Sequence, residues 1–172
     1  LYNARPSPDI EITPLRAEEL LLVQACAHGG ATAPIRLQDI AALPLVIPSR
    51  PNAIRMRVDT ELATLGCSPR IALEVDGVSG ILDLVAEGVG SAILSRNAVA
   101  SAARPELFRL RPIREPQLQV QIALAVSAQR PATLTQQATQ ALIADTLAAM
   151  LPAVRAAQAV ATGSAIGPAS LR

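Results

Sequence analysis

The segment Ile71–Ser95, IALEVDGVSGILDLVAEGVGSAILS, constrains this chain more than any other. Ile71, Leu73 and Val75 recur two apart, the spacing of one strand face. Ile81, Leu84 and Val85 recur at helical spacing. Ile93 and Leu94 sit in a second short apolar run, and Asp76, Gly77 and Ser79 stand where the first strand hands over to the helix. The segment therefore reads strand, turn, helix, Gly break, strand. Parallel strands joined by a helix form a right-handed crossover. Such a unit sets a helix N-terminus, with unpaired N–H groups, at the carboxyl end of a strand. That is where open α/β sheets bind small anions.

A second unit of the same kind precedes it. Leu45–Ile47 is a short buried strand between Pro44 and Pro48, and Pro48–Asn52 is a turn. Asn52 is placed to cap a helix over Ala53–Leu65, with Gly66 at its stop. Ile54, Val58, Leu62 and Leu65 share one face of that helix. Arg55, Arg57, Asp59 and Glu61 are expected at water or its edge. Two such units feed one sheet, so their turns can converge on one crevice.

The remaining segments fit an α/β chain. Ala4–Asp9 is a loop, since Pro6 and Pro8 exclude regular structure. Glu19–Cys26, with its Leu-Leu-Leu-Val run, reads as a strand covered on both faces and broken at His28-Gly29-Gly30. A short helix covers Leu37–Leu43, and another runs from Asn97 to about Ala102. Leu107–Leu110 and Leu118–Val126 read as strands, with Pro112 and Pro116 marking a crossing segment between them. Leu118, Val120, Ile122, Leu124 and Val126 share one face. Thr133 opens a helix to about Met150, with Leu134, Ala138, Ala141, Leu142, Asp145 and Leu147 near its seam. From Pro152 the chain is rich in Ala, Gly and Ser and reads as a disordered tail.

Several chemistries are excluded. The chain carries 15 basic residues, all Arg, against 14 acidic ones. Without a basic footprint it is not an autonomous nucleic-acid binder. Tyr2 and Phe108 are too few to stack single-stranded bases. No Lys exists for a phosphate-binding Walker loop. Gly88-Val89-Gly90 precedes a strand and lacks a third glycine, so it reads as a helix stop and tight turn, not a dinucleotide loop. A metal site needs several converging ligands, and the lone histidine, His28, stands in a loop. No metal and no cofactor are expected. Cys26 and Cys67 are isolated and read as buried thiols of a reducing compartment, the alternative being one disulfide in an exported protein. No apolar run approaches the ~20 residues of a membrane helix. No export signal opens the chain, which begins at Leu1 without an initiator methionine and reads as N-terminally truncated.

Four polar residues remain: Ser49, Asn52, Asp76 and Ser79. They read either as caps and turn formers or as hydroxyls beside backbone N–H groups that receive a carboxylate. Asp76 repels an anion, so it is read as a cap or an orienting group. Arg50 is either a source of positive charge or a solvated surface residue.

At these residues the chain resembles the effector-binding region of LysR-type transcriptional regulators. ITPLRAEELLLVQA, LQDIAALPLVIPSRPNAIRMRVDTELATLGCSPRIALEV, VSGILDLVAEGVGSAILS and RPIREPQLQVQIALAV carry the resemblance in order, from about Leu1 to Leu151. It implies two Rossmann-like lobes of periplasmic-binding-protein type, the first incomplete. Residues 35–115 would form the second lobe, residues 1–34 and 116–151 parts of the first, and 152–172 the tail. By the resemblance, Ser49, Pro51, Asn52, Gly77, Val78 and Ser79 contact the effector. Ser95 stands where the family usually has Pro. The implied function is sensing of a small organic acid between the lobes, which controls a DNA-bound homo-dimer or homo-tetramer in the cytoplasm. DNA would be held only through an N-terminal helix-turn-helix that this chain lacks, with no membrane contact and no enzymatic activity. The alternatives are a solute-binding protein of a transporter, which needs an export signal, and an enzyme built on Cys26 and His28.

Overall fold

The computed structural model describes residues 7–26, 33–129 and 132–150. The chain divides into two compact units, 1–129 and 130–172. The first is an α/β unit whose strands are β1 (Ile10–Ala25), β2 (Ile35–Arg36), β3 (Leu45–Ile47), β4 (Ile71–Glu74), β5 (Ala92–Ser95), β6 (Phe108–Arg114) and β7 (Gln119–Ser127). Its helices are α1 (Leu37–Ile40), α2 (Ala53–Thr64), α3 (Val78–Ala86) and α4 (Arg96–Ala100). The described part of the second unit is α5 (Leu134–Met150). The Thr133 hydroxyl accepts the Gln136 N–H at 3.2 Å, which is why α5 starts there. Leu134 and Leu142, expected on its seam, are exposed.

The sheet is built around β1. Leu20–Val23 pairs antiparallel with β5 on one side, and Leu21–Ala25 with β6 on the other. β2 adds parallel to β6 at Ile113 and Arg114. β3 and β4 pair in parallel. A parallel bridge from Leu45 to Ser91, with Val46 N–H donating to Ser91 O at 2.8 Å, ties β3 to the start of β5. The resulting order is β4-β3-β5-β1-β6-β2. Helix α3 thus crosses over β3, and the two strands it joins flank β3 without touching each other. The stretch Leu20–Ala25 of β1 lies between β5 and β6, both drawn from residues 35–115.

Helices cover both faces, and the alternation of the central strands shows it. Leu20, Leu22, Leu45, Ile47 and Ile93 pack with Leu37 and Ile40 of α1 and Val58 and Leu62 of α2. Their neighbours Val23, Val46, Ala92 and Leu94 pack with Ile81, Leu82 and Val85 of α3 and Val99 of α4. A strand buried on both faces reads as a continuous apolar run, as Leu20–Val23 does. Burying each such side chain contributes roughly 1.5–3 kcal/mol.

Several expectations change in detail. β1 begins at Ile10, not Glu19; Pro14 and the charges at Glu11, Arg16 and Glu18 hid its first half. Those residues pair with β7, and the register shifts between Pro14 and Arg16. A bulge is one of the few places a sheet accepts proline. Of the face expected for β7, Leu118 just before the strand and Val120 are buried, but the next buried position is Ala123 rather than Ile122 or Leu124. β6 runs on through Pro112 to Arg114, so the crossing is confined to Glu115–Leu118. Ile71 and Leu73 alternate as expected but remain 37% and 41% exposed, because β4 is an edge strand. Leu65 is exposed and Arg55 is buried, the reverse of their expected placing on α2. Gly88 has φ +79° and follows α3, while a Cβ at Gly90 would lie 2.6 Å from the Pro44 carbonyl oxygen. Helix stop and close packing therefore explain this glycine pair. The His28-Gly29-Gly30 break and the tail from Pro152 lie outside the described residues.

Candidate functional site

Because β3 and β4 are parallel neighbours, their carboxyl ends lie at the same edge of the sheet. The turns that follow meet there. The Asp76 carboxylate accepts the Ser49 N–H at 3.1 Å on one oxygen and the Ser49 hydroxyl on the other. Both of Ser49's donors are spent on this one group. Asp76 is therefore not a helix cap: the N-cap of α3 is Gly77, which makes no side-chain cap bond. It orients the preceding turn instead. Gly77 has φ +107°, a conformation in which an L side chain is strained.

Asn52 caps α2 as expected, its Oδ1 accepting the N–H groups of Ile54 at 2.9 Å and Arg55 at 3.3 Å. Pro51 is exposed and follows a cis peptide bond from Arg50. Val78 and Ser79 line a cavity of about 540 Å³ together with Leu82 of α3, Ala98 of α4, Arg104 and Phe108. The structure thus joins Ser49 directly to Asp76 and sets Asn52 and Gly77 at the two helix starts. Val78 and Ser79 also line the cavity beside α4, whose lining does not include Ser49, Pro51, Asn52 or Gly77.

An ion network lies beneath the turns. Arg55 is only 4% exposed. Its guanidinium donates to both Asp59 oxygens at 2.9 and 3.0 Å, to Glu74 at 2.6 Å and to the Pro48 carbonyl at 3.2 Å. Burial by itself lowers the pKa of Arg55, but the hydrogen bonds to Glu74 and Asp59 outweigh it and hold the pKa above its ordinary value. Asp59 also accepts from Arg50 at 2.6 and 2.9 Å. One side chain therefore holds the end of β3, the body of α2 and the end of β4 together. Sequence reasoning missed Arg55 and Glu74. The i, i+4 spacing of Arg55 and Asp59 was the available signal for half of the network; the reach to Glu74 is a tertiary fact.

Of the Cys26–His28 pair, Cys26 is exposed and His28 lies outside the described residues. Among the described residues no group of three or more His, Cys, Asp or Glu side chains is placed to hold a metal ion. Among them, too, no helix is long and apolar enough to cross a membrane.

The family model described as the LysR substrate binding domain matches residues 1–148. The transcriptional regulator BbuR of Bordetella bronchiseptica is 29% identical over 101 residues, which are 58% of this chain and 31% of that protein. The chain therefore spans about a third of that curated relative. The regulatory domain of Synechocystis PCC6803 CcmR, solved in complex with 2-PG, superposes with a TM-score of 0.73 at 16% identity, over 84% of this chain and 71% of that one. The effector binding domain of QuiR in complex with shikimate superposes with a TM-score of 0.70 at 23% identity, over 83% and 68%. These likenesses carry the fold, that of effector-binding domains with a periplasmic-binding-protein-like architecture. With its family model matched over residues 1–148, this chain belongs to the LysR substrate-binding domain family.

Proposed function

We propose that this chain is the effector-sensing part of a transcriptional regulator, and that it binds a small organic acid between two lobes. The observation that carries the reading is the meeting of the turns after β3 and β4 at the carboxyl edge of the sheet, through Ser49 and Asp76. In open α/β sheets that edge is where ligands bind. Two relatives in fold were solved with small molecules, which supports a ligand of similar size. In this reading Ser49, Pro51, Asn52 and Gly77–Ser79 face the effector. Residues 35–115, with the later half of β1, form the second lobe; residues 1–19 and 116–151 contribute to the first. The chain acts as a sensor and not as an enzyme, works in the cytoplasm, and assembles as a homo-dimer or homo-tetramer. DNA is held by a helix-turn-helix segment outside this chain.

The effector acts by favouring one arrangement of the lobes. It can shift that equilibrium only by its difference in affinity for the two arrangements. The test is thermal stabilisation of the chain across a library of small organic acids, shikimate included. A sensor is stabilised by RT ln(1 + L/Kd), with L the free ligand concentration, so its melting temperature rises with the logarithm of ligand excess. No stabilisation by any member, in this chain or in the same segment within its full-length regulator, overturns the proposal.

A further inference from the structure

We infer that the ligand turns a hydroxyl, not its carboxylate, toward the Ser49–Asp76 pair, so that the effector class is a hydroxy acid. This rests on the sensor reading above and sharpens its ligand class. Three features of the turns carry it.

The first is the supply of donors. Ser49 has given both its N–H and its hydroxyl to Asp76. At α2, Asn52 has already taken the N–H groups of Ile54 and Arg55. On the Ser49 and α2 side few donors remain for a carboxylate, which accepts hydrogen bonds and donates none; the N–H groups left for one are those at the start of α3, where Gly77 makes no side-chain cap bond.

The second is charge. Arg50 and Arg55 stand against Asp59, Glu74 and Asp76. Two guanidiniums against three carboxylates leave one negative charge at the turns. Both guanidiniums are already bound to acids, and Asp76 belongs to neither pair. An incoming carboxylate meets that excess; a hydroxyl does not. The partial positive charge at the start of α3 does not reverse this, because Asp76 stands immediately before the N-cap and compensates it.

The third is what Asp76 still offers. It is exposed, and each of its oxygens has accepted only one hydrogen bond among the contacts described. A carboxylate has about four acceptor sites. Asp76 is therefore an accessible acceptor, fixed in place by Ser49. A ligand hydroxyl donating to it makes a charge-assisted bond, about twice as strong as a neutral one.

The experiment compares each hydroxy acid with its deoxy counterpart by titration calorimetry on the whole chain. The pairs are malate and succinate, lactate and propionate, salicylate and benzoate, and shikimate and cyclohex-1-enecarboxylate. Every acid that binds should be the hydroxylated member, by tenfold or more over its counterpart. Asp76→Asn keeps an oxygen for Ser49 and removes the charge. In that variant the deoxy acids should bind tighter than in the wild type, and the preference for the hydroxylated member should shrink. A deoxy acid bound by the wild type as tightly as its hydroxylated partner overturns the inference and leaves the sensor reading standing. So does a preference that Asp76→Asn leaves unchanged. No binding by any acid of a stabilisation library overturns both. The wild-type comparison needs no variant, so a folding defect in Asp76→Asn does not decide the outcome.

Discussion

Replacing Arg55 by Met tests whether the buried network holds the two turns in place. The variant keeps an unbranched apolar stem and deletes the guanidinium. Breaking a buried ion pair by removing one partner costs about 3–5 kcal/mol. Here the cost is smaller, for reasons visible in the geometry. The Glu74 side chain is 45% exposed and can rehydrate, and Asp59 keeps its bonds to Arg50. What cannot recover is the Pro48 carbonyl bond, made in a buried setting, whose loss costs about 1–3 kcal/mol. The expected destabilisation is therefore about 1–3 kcal/mol. With a urea m-value of roughly 1–3 kcal/mol/M, the midpoint should fall by about 0.3–3 M at unchanged m. Arg55 itself adds no pH dependence at neutral pH. Its pKa is raised in the folded state, so its contribution is fully present below its ordinary, strongly basic value and is lost only as pH rises through the still higher folded value. A midpoint shift under about 0.3 M would refute the argument, because it would leave the network contributing under about 1 kcal/mol even at the largest m. A double-mutant cycle with Glu74→Gln then assigns the share carried by the Arg55–Glu74 contact.

Three further outcomes follow from single sites. Gly90→Ala should lower stability by about 1–3 kcal/mol in a thermal melt, since its Cβ would meet the Pro44 backbone and no flexible side chain is there to yield. Asn52→Ala should cost about 1 kcal/mol, while Asn52→Asp keeps the cap and should cost far less; an equal loss in both would show that the α2 cap is not the cause. Hydrogen bonding to Arg36 holds the Asp39 carboxyl below its ordinary 3.8. That stabilisation is present above 3.8 and is lost as pH falls through the folded value. In Arg36→Ala an NMR titration should place Asp39 back toward its ordinary value, with little change in global stability because the pair is exposed.

The legible parts of the sequence were those where local chemistry and tertiary packing agree. Leu45–Ile47 between two prolines, Asn52 before a helical pattern and Leu20–Val23 as an unbroken apolar run each carry their structure in a few adjacent residues. The first half of β1 was not legible, because charged residues and Pro14 mask a strand whose pairing with β7 comes from far along the chain. Arg55 was misread for a related reason. An arginine two residues from a helix start is normally solvated, and only the distant Glu74 and the Pro48 carbonyl make its burial tolerable. At the candidate site, the two turns could be placed beside each other from their units alone. That Asp76 would take both of Ser49's donors could not, since nothing in either turn specifies a partner in the other.

The central position of β1 has a kinetic side. Its run Leu20–Val23 is made early in synthesis, yet the strands that flank it, β5 and β6, emerge only after α2 and α3. Until then an apolar, uncharged stretch of high strand propensity waits without either neighbour, the kind of segment that pairs with copies of itself. Contacts this distant in sequence slow folding, because loop-closure entropy is lost before they form. A nascent or nicked chain ending before Ala92 keeps the buried run Leu20–Val23 and lacks both of its central neighbours. Such a chain belongs among the aggregation-prone intermediates of folding. The strand that anchors the finished sheet is thus the chain's main liability during its own assembly.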